Sequence, residues 1–265
     1  MSVRPKKRYG QHFLEPAWAE KLLDAIAPAP DERFVEIGPG PGALTLRLAP
    51  RVAHLTAIEV DAEMVAALSP RVPANVTVLH ADFLEVDLVS IAAERPIRVV
   101  GNLPYNVSSP ILFKLLEAHR KCGGIRDATL MLQREVADRL TASAGTAEYG
   151  VLSILIQMHA DVRRVLALPP GAFRPAPKVR SAVVTLRFRA PAVRVADERG
   201  LEAMVRMMFM QRRKTLLNAL TAYAAFRRVQ PRAALDAAGI DPRRRPETLQ
   251  LTELARLADY FTSAG

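Results

Sequence analysis

Short β-branched or aliphatic runs alternate with amphipathic segments from Arg33 onward, and this alternation restricts the possible folds more than any other feature of the sequence. The pattern is typical of βα units that build a mostly parallel sheet. It predicts strands at Phe34–Ile37, Leu55–Glu59, Val76–Leu79, Ile97–Gly101 and Ala128–Gln133. It predicts helices at Ala43–Ala49, Ala62–Ser69, Val86–Ala93, Pro110–His119 and Arg134–Ala142.

Two later segments, Val162–Leu168 and Ser181–Phe188, alternate apolar and polar positions. This period of two predicts antiparallel strands added at the edge of the sheet. Residues 169–177 between them hold four prolines in nine positions. Because proline lacks a backbone donor and fixes φ, we expect a stiff, ordered loop here, without helix or ladder pairing.

The pattern becomes purely helical after Ala190-Pro191. It predicts helices at Glu198–Phe209, Lys214–Ala224, Pro231–Ala238 and Thr252–Phe261. The chain is therefore predicted to contain an α/β domain over residues 1–190 and a small all-α domain over residues 191–265.

The net charge of +10 is distributed unevenly. Two segments without any acidic residue carry nine positive charges: Arg4, Lys6, Lys7 and Arg8, and then Arg174, Lys178, Arg180, Arg187 and Arg189. Such clusters are typical of proteins that bind a polyanion such as nucleic acid, although a solvated surface is the alternative for each cluster.

No apolar run approaches the roughly 20 residues that span a bilayer, and no hydrophobic stretch follows the basic N-terminus. Cys122 is the single cysteine, so neither an internal disulfide nor a thiolate metal cluster can form. We expect a cytoplasmic protein that has no metal site, does not bind membranes and acts as a monomer.

The first predicted strand runs into a glycine-rich turn, Glu36-Ile-Gly38-Pro-Gly40-Pro-Gly42-Ala43. Its spacing also fits dinucleotide-binding domains, with Glu59 about twenty residues later as a partner for ribose hydroxyls. However, Pro39 and Pro41 remove two backbone donors that a pyrophosphate would use. S-adenosylmethionine carries no phosphate, so the turn favours this cofactor over NAD.

Asp82 and Phe83 follow the third predicted strand. The carboxylate could accept the amino group of a bound adenine while the apolar ring covers the base. The alternative for both Glu59 and Asp82 is capping of the helix that follows each strand.

The fourth predicted strand ends in Asn102-Leu103-Pro104-Tyr105. Adenine N6 is a weak nucleophile because its lone pair is delocalised into the ring. The Asn102 side-chain carbonyl and the Leu103 backbone carbonyl could accept both N6 hydrogens and orient that lone pair. Pro104 would stiffen the turn and Tyr105 could stack on the base. The alternative is a strand-ending turn with a core tyrosine.

These motifs, at successive strand ends, resemble those of the ribosomal RNA adenine dimethyltransferases. The resemblance extends to residues 7–14 (KRYGQHFL) and to residues 173–181 (FRPAPKVRS), which resembles the substrate loop of that family. Residues 209–218 resemble the C-terminal domain of its KsgA (RsmA) branch in particular. The resemblance implies a Rossmann-like class I S-adenosylmethionine-dependent methyltransferase fold with a seven-stranded sheet and a helical RNA-binding domain.

The resemblance also implies a function and a set of site residues. The KsgA branch dimethylates two adjacent adenines near the 3′ end of small-subunit (16S) ribosomal RNA, and an assembly intermediate of the small subunit is the expected partner. Cofactor contacts are expected at Gln11, His12, Leu14, Gly38, Gly40, Glu59, Asp82, Phe83 and Asn102. Catalytic contacts are expected at Asn102, Leu103, Pro104, Tyr105 and Phe173, with Tyr105 and Phe173 clamping the flipped adenine.

Three other functions remain as alternatives. The Erm branch modifies large-subunit ribosomal RNA with the same catalytic set, but residues 211–218 favour the small-subunit branch. A non-catalytic assembly factor would use the fold only to bind RNA, and the intact Asn102–Tyr105 motif disfavours it. A DNA adenine methyltransferase would usually carry two adjacent prolines in this motif.

Overall fold

A computed structural model of the chain describes residues 12–264. The predicted basic cluster at Arg4–Arg8 and the predicted cofactor contact Gln11 therefore lie outside the described residues. The described chain forms two compact units. The first contains residues 12–137 and 161–189, and the second contains residues 138–160 and 190–264.

The first unit is built on a mostly parallel sheet. In chain order the strands are β1 (Phe13–Leu14), β2 (Arg33–Ile37), β3 (His54–Glu59), β4 (Val76–His80), β5 (Ile97–Asn102), β6 (Ile125–Gln133), β7 (Ala160–Leu168), β8 (Phe173–Arg174) and β9 (Ser181–Phe188). Seven of them form one sheet in the order β4-β3-β2-β5-β6-β9-β7. Strands β2 to β6 are parallel, and β9 runs antiparallel to β6. The predicted α/β sheet with an antiparallel addition is confirmed.

The strand order positions a binding crevice. From β2 the chain winds outward through β3 to β4, then returns to the other side of β2 with β5. In open α/β sheets, ligands bind outside the carboxyl ends of the strands, where the winding direction reverses. The crevice is therefore expected at the carboxyl ends of β2 and β5.

Helices cover the strands of this unit. They are α1 (Pro16–Ile26), α2 (Thr45–Leu48), α3 (Ala62–Leu68), α4 (Leu88–Glu94), α5 (Ser108–Cys122) and α6 (Arg134–Thr141), which continues into the second unit. Asp61 and Asp87 cap the amino ends of α3 and α4, because their carboxylates accept the N–H groups of Glu63 and Ser90. Helix α1 lies outside the predicted helices, although its apolar residues Leu22, Leu23 and Ile26 are buried.

A second, two-stranded sheet ties the N-terminal segment to the proline-rich loop. Strand β1 pairs antiparallel with β8, with Phe13 opposite Arg174 and Leu14 opposite Phe173. The prediction that residues 169–177 exclude ladder pairing is therefore wrong at two positions. Phe173 and Arg174 retain backbone N–H groups between the flanking prolines, so a two-residue ladder can form there.

The second unit is helical. Its helices are α7 (Val151–His159), α8 (Glu198–Met210), α9 (Leu216–Ala219), α10 (Thr221–Phe226), α11 (Pro231–Ala237) and α12 (Leu251–Ala264). Helix α8 buries Leu201, Met204, Val205 and Met208, a spacing that places them on one face. The Tyr223 hydroxyl donates to the Gly200 carbonyl over 3.0 Å.

The helix predicted at Lys214–Ala224 is two helices instead of one. The N–H groups of Leu216 and Leu217 donate to the carbonyls of Arg244 and Pro242, so α9 begins at Leu216. The Thr221 hydroxyl donates to the Leu217 carbonyl over 3.1 Å, a side-chain contact that tends to bend helices.

The predicted domain boundary at residues 190 and 191 lies beside the division between the two units. The second unit also includes residues 138–160, which the prediction places in the first domain. These residues contain α7, whose Ile154, Ile156 and Met158 are buried and which packs against α8. None of the helices within residues 12–264 is long and apolar enough to span a lipid bilayer.

Candidate active site

A cavity of about 220 Å³ lies at the carboxyl ends of β2, β3, β4 and β5. The strand order predicts a crevice at this place. Its lining includes most of the predicted site residues: His12, Gly38, Gly40, Glu59, Asp82, Phe83, Asn102, Leu103, Pro104 and Tyr105. The remaining lining residues are Phe13, Ile37, Ile58, Val60, Ala81, Asn106, Val107 and Ile111, so no lysine or arginine is present among the described lining residues.

The backbone N–H groups of the three glycines in the turn after β2 already have acceptors within the protein. Gly38 and Gly40 have φ angles of 64° and 52°, a conformation that glycine adopts without strain. The N–H groups of Gly38 and Gly42 donate to the carbonyls of Ile58 and Pro39, and that of Gly40 donates to the Glu59 carboxylate. With these donors taken and no lysine or arginine in the described lining, the turn is poorly suited to a pyrophosphate.

Glu59 is buried at the end of β3. One carboxylate oxygen accepts the Gly40 N–H over 3.0 Å and the other accepts the Asp61 N–H over 3.0 Å. Burial raises the pKa of the Glu59 carboxyl, while the two backbone donors oppose that rise. Asp61 caps α3, so Glu59 is not needed as the helix cap and lines the cavity instead.

Asp82 and Phe83 line the cavity from the loop after β4. The Asp82 carboxylate accepts the N–H of Leu84 over 2.9 Å and so closes a local turn. Helix α4 begins only at Leu88, so this turn is not the start of the helix. The ammonium group of Lys114 donates to the Leu84 carbonyl over 2.7 Å and fixes this loop to α5. The helix-capping alternative for Asp82 therefore does not describe its position.

Asn102 ends β5 with its side chain at the cavity. The side-chain Nδ2 donates to the His12 carbonyl over 2.6 Å. Because a carbonyl can only accept, this contact identifies the nitrogen end of the Asn102 amide and leaves Oδ1 as the acceptor that faces other partners. The Leu103 N–H donates to the Met131 carbonyl over 3.2 Å and holds the turn against β6.

Tyr105 forms an aromatic wall of the cavity. The hydroxyl of Tyr105 and that of Ser181, at the start of β9, are 3.1 Å apart. The imidazole of His12 faces the Tyr105 ring with centroids 5.8 Å apart and planes inclined by 26°. Tyr105 is thus a cavity residue, and the core-tyrosine alternative does not describe it.

Phe173 and Leu14 do not line this cavity. Phe173 is only 2% exposed and packs in the hydrophobic core with Leu14, which is 7% exposed. The prediction that Phe173 clamps a base opposite Tyr105 is not supported by this position, because its pairing with β1 turns the side chain into the core. Leu14 lines a smaller cavity of about 30 Å³, which shares Phe13, Gly38 and Asn102 with the larger one.

A family model described as ribosomal RNA adenine dimethylase matches residues 3–263 of the chain. The chain belongs to this family. It is 45% identical to the ribosomal RNA small subunit methyltransferase A of Syntrophotalea carbinolica, and the match covers 98% of both chains.

Two solved structures of other proteins resemble the structure of this chain. A dimethyladenosine transferase from Plasmodium falciparum has a TM-score of 0.79 at 23% identity, with 96% of this chain and 98% of that chain covered. The 23S rRNA methyltransferase ErmE has a TM-score of 0.67 at 28% identity, with 94% and 99% covered. The predicted Rossmann-like methyltransferase fold is confirmed.

Glu36, an interior residue of β2, is not among the predicted site residues. Burial raises the pKa of the Glu36 carboxyl to about 7, the charge of Glu59 adds to the rise, and Thr45 partly opposes it. Among the described residues, Glu36 Oε2 has no hydrogen-bond partner, and Glu36 lines the smaller cavity. An acidic residue inside an otherwise apolar strand is the signal in the sequence that could have identified it.

The predicted basic cluster at residues 174–189 contains both paired and exposed charges. Arg174 forms an ion pair with Glu15 over 2.7 Å and Arg189 forms one with Asp161 over 2.8 Å. Lys178, Arg180 and Arg187 are exposed.

The second unit carries its own basic segment at residues 211–214. The Arg212 guanidinium donates to the carbonyls of Thr146 and Ala147, so this side chain holds the unit together. Arg213 and Lys214 are exposed.

Proposed function

We propose that this protein transfers methyl groups from S-adenosylmethionine to N6 of two adjacent adenines near the 3′ end of small-subunit ribosomal RNA. Family membership makes the chain a ribosomal RNA adenine dimethyltransferase. The relative at 45% identity is named a small-subunit enzyme, whereas the structure named a 23S rRNA enzyme is 28% identical. The small-subunit assignment rests on this difference and on the resemblance of residues 209–218.

The electrostatics of the cavity fit the proposed cofactor. S-adenosylmethionine carries a positive sulfonium and an ammonium group but no phosphate. The described cavity lining holds the carboxylates of Glu59 and Asp82 and no lysine or arginine. Glu59 would accept ribose hydroxyls through the lone pairs that the Gly40 and Asp61 N–H groups leave free. Asp82 would accept the adenine amino group, with Phe83 against the ring.

The observation that carries the proposal is the fixed amide of Asn102. Its Nδ2 is held by the His12 carbonyl, so Oδ1 is the end available to accept a hydrogen from adenine N6. The Leu103 carbonyl would accept the second hydrogen. With both hydrogens held by these two acceptors, the nitrogen lone pair is oriented out of the plane of the base, where it can attack the methyl group.

The methyl transfer itself requires few groups from the protein. Bound S-adenosylmethionine would supply an electrophilic methyl group. Asn102 Oδ1 and the Leu103 carbonyl become better acceptors as positive charge develops on N6, so they stabilise the transition state more than the ground state. The alkylated nitrogen is acidic and can release its proton to water or to the Asn102 carbonyl, so no strong base is required. Tyr105 would stack on the base.

Binding of the ribosomal subunit is proposed to extend beyond the cavity. We assign phosphate contacts to the exposed Lys178 and Arg180 of the first unit and to Arg213 and Lys214 of the second. We further propose that the chain acts as a cytoplasmic monomer on an assembly intermediate of the small subunit. Light scattering of the purified protein tests the monomer, and assays on subunits at successive stages of assembly test the substrate.

One experiment tests the main proposal. The protein is incubated with methyl-labelled S-adenosylmethionine and small subunits that lack the modification, and N6-dimethyladenine is then mapped by mass spectrometry. Asn102→Ala serves as the inactive control. Large subunits form a parallel arm, because transfer to their RNA would instead support an Erm-type function. Wild-type protein that binds small subunits without transferring label would support an assembly factor without catalysis.

A further inference from the structure

The loop of residues 81–87, between β4 and α4, brings Asp82 and Phe83 to the cavity. Asp82 accepts the N–H of Leu84 through its carboxylate and that of Glu85 through its backbone carbonyl. These hydrogen bonds span only two or three positions of the chain, so they shape the turn locally. Holding the turn against the rest of the cavity requires contacts from more distant residues.

Lys114, a half-buried residue of α5, makes such a contact. Its ammonium group donates to the Leu84 carbonyl over 2.7 Å and lies 5.9 Å from the centroid of the Phe83 ring, within the range of a cation–π contact. Hydrogen bonds from Ser90 hold the pKa of the Asp87 carboxyl below its ordinary value, and the charge of Lys114 contributes to this lowering. The positive charge of Lys114 thus acts on both ends of the loop.

Helix α5 also belongs to the other side of the cavity, because it follows the Asn102–Tyr105 motif. At its amino end, the Ser108 hydroxyl donates to the Tyr105 carbonyl over 3.2 Å. Ile111, about one turn later, lines the cavity, and Lys114 lies three positions further, where side chains of a helix are neighbours. The helix therefore connects the Asn102–Tyr105 motif to the loop that carries Asp82 and Phe83.

We propose that Lys114 is a positioning residue for the adenine ring of the cofactor. Its ammonium group holds the loop of residues 81–87 so that Asp82 and Phe83 meet that ring. Lys114 is not among the described residues that line the cavity, so it acts through the Leu84 carbonyl and the Phe83 ring. This inference rests on the proposed function, which assigns the adenine contacts to Asp82 and Phe83 and gives Lys114 no part in them.

The test compares Lys114→Met, which keeps an unbranched side chain without the charge, with Lys114→Arg, which keeps a cationic donor. Lys121→Met is the matched control, because Lys121 lies about two turns later on α5 and forms an exposed ion pair with Glu117. Calorimetry measures the affinity of each protein for S-adenosylhomocysteine and for its analogue with hydrogen in place of the adenine amino group. Amide hydrogen exchange of residues 82–87 is measured without any ligand.

The wild type should prefer S-adenosylhomocysteine over the analogue at least about tenfold, since the analogue leaves the Asp82 carboxylate without its donor. Lys114→Met should bind S-adenosylhomocysteine about tenfold more weakly and should lose most of this preference, because Asp82 is no longer held at the ring. Its loop amides should exchange faster. Lys114→Arg should restore affinity, preference and protection, and Lys121→Met should match the wild type.

A wild-type preference retained in Lys114→Met would overturn the inference, even with lower affinity for both ligands, because equal losses indicate a general effect on the fold. Unchanged exchange of the loop amides in Lys114→Met would overturn it as well. Should Lys114→Met not fold, Lys114→Gln takes its place in the same measurements.

Methyl transfer by the wild type to undermethylated small subunits is assayed in parallel, so that the inference and the proposed function can fail separately. If the wild type transfers no methyl group while the adenine preference depends on Lys114, the proposed function fails and the positioning role stands. If methyl transfer occurs and Lys114→Met keeps the preference, the proposed function stands and the positioning role is refuted.

Discussion

The two halves of the cavity are held together by contacts of very different range along the chain. We call Gly38, Gly40, Glu59, Asp82 and Phe83 the cofactor half, after the contacts proposed for them. We call Asn102, Leu103, Pro104 and Tyr105 the substrate half, together with His12, whose carbonyl holds the Asn102 side chain. Hydrogen bonds made by side chains of the cofactor half join residues 19 positions apart or two positions apart. Hydrogen bonds made by side chains of the substrate half join residues separated by 76, 90 and 163 positions.

This difference implies a difference in how each half forms. The cofactor half needs only neighbouring βα units to be folded, because its turns satisfy their own backbone donors. The substrate half needs the N-terminal segment, the end of β5 and the start of β9 to be in place together. We therefore expect substitutions in the cofactor half to change cofactor binding or local stability, and substitutions in the substrate half to change methyl transfer.

The largest effect is expected at Glu36, beneath the cofactor half. The folded pKa of about 7 lies above the ordinary value of 4.5, so the folded state favours the protonated carboxyl. Below pH 4.5 both folded and unfolded states are protonated and stability is unaffected. As pH rises from 4.5 through 7 the unfolded state ionises first, and about 3 kcal/mol of stability is lost. Above pH 7 the loss stays constant.

Glu36→Gln should remove this pH dependence and should be more stable than wild type at pH 8 by about 3 kcal/mol. Urea unfolding of both proteins at several pH values between 4.5 and 8 measures it. The exposed residue Glu85, substituted as Glu85→Gln, provides the control. Curves for wild type and Glu36→Gln that run parallel over this range would show that the Glu36 carboxyl does not titrate as described.

The next largest effect is expected in the substrate half, at Asn102. Asn102→Ala should reduce the single-turnover methylation rate 100-fold or more, about 2.7 kcal/mol for the loss of one oriented acceptor. Binding of the small subunit should be almost unchanged, because one side chain contributes little to that interface. Filter binding and rapid-quench kinetics measure the two quantities. Near-normal dimethylation by Asn102→Ala would remove the main physical support for adenine N6 as the target.

The range of these contacts also explains what the sequence could predict. The strands and the residues that follow them, such as Glu59 and Asp82, are marked by local patterns, and both of these residues line the cavity. The position of Phe173 was not predictable, because it depends on pairing with Leu14 across the chain. The stack of His12 on Tyr105 likewise has no local signal. The start of α9 at Leu216 depends on contacts from residues 242–244.

A smaller effect is expected at Glu59, which tests whether the cofactor half binds the cofactor. Glu59→Ala should lower S-adenosylmethionine affinity at least tenfold, since it removes charge-assisted hydrogen bonds to the ribose. It should also cost some stability, because the Gly40 and Asp61 N–H groups lose their acceptor. Calorimetry measures the affinity and circular dichroism checks the fold. Glu85→Ala is the matched control, and an affinity equal to that of the control would exclude Glu59 from the site.

The smallest effect is expected from the contact that joins Ser181 to Tyr105 across the substrate half. Ser181→Ala and Tyr105→Phe each remove one partner of the same hydrogen bond, which typically contributes about 1 kcal/mol. Each variant should therefore slow the second methyl transfer about fivefold, because the Tyr105 ring is less well fixed. The double variant should be no slower than either single variant, since the contact is already lost. Single-turnover kinetics of all four proteins measure this coupling. Additive losses would mean that the two hydroxyls act separately, and the substrate half would then depend less on long-range contacts than the comparison with the cofactor half implies.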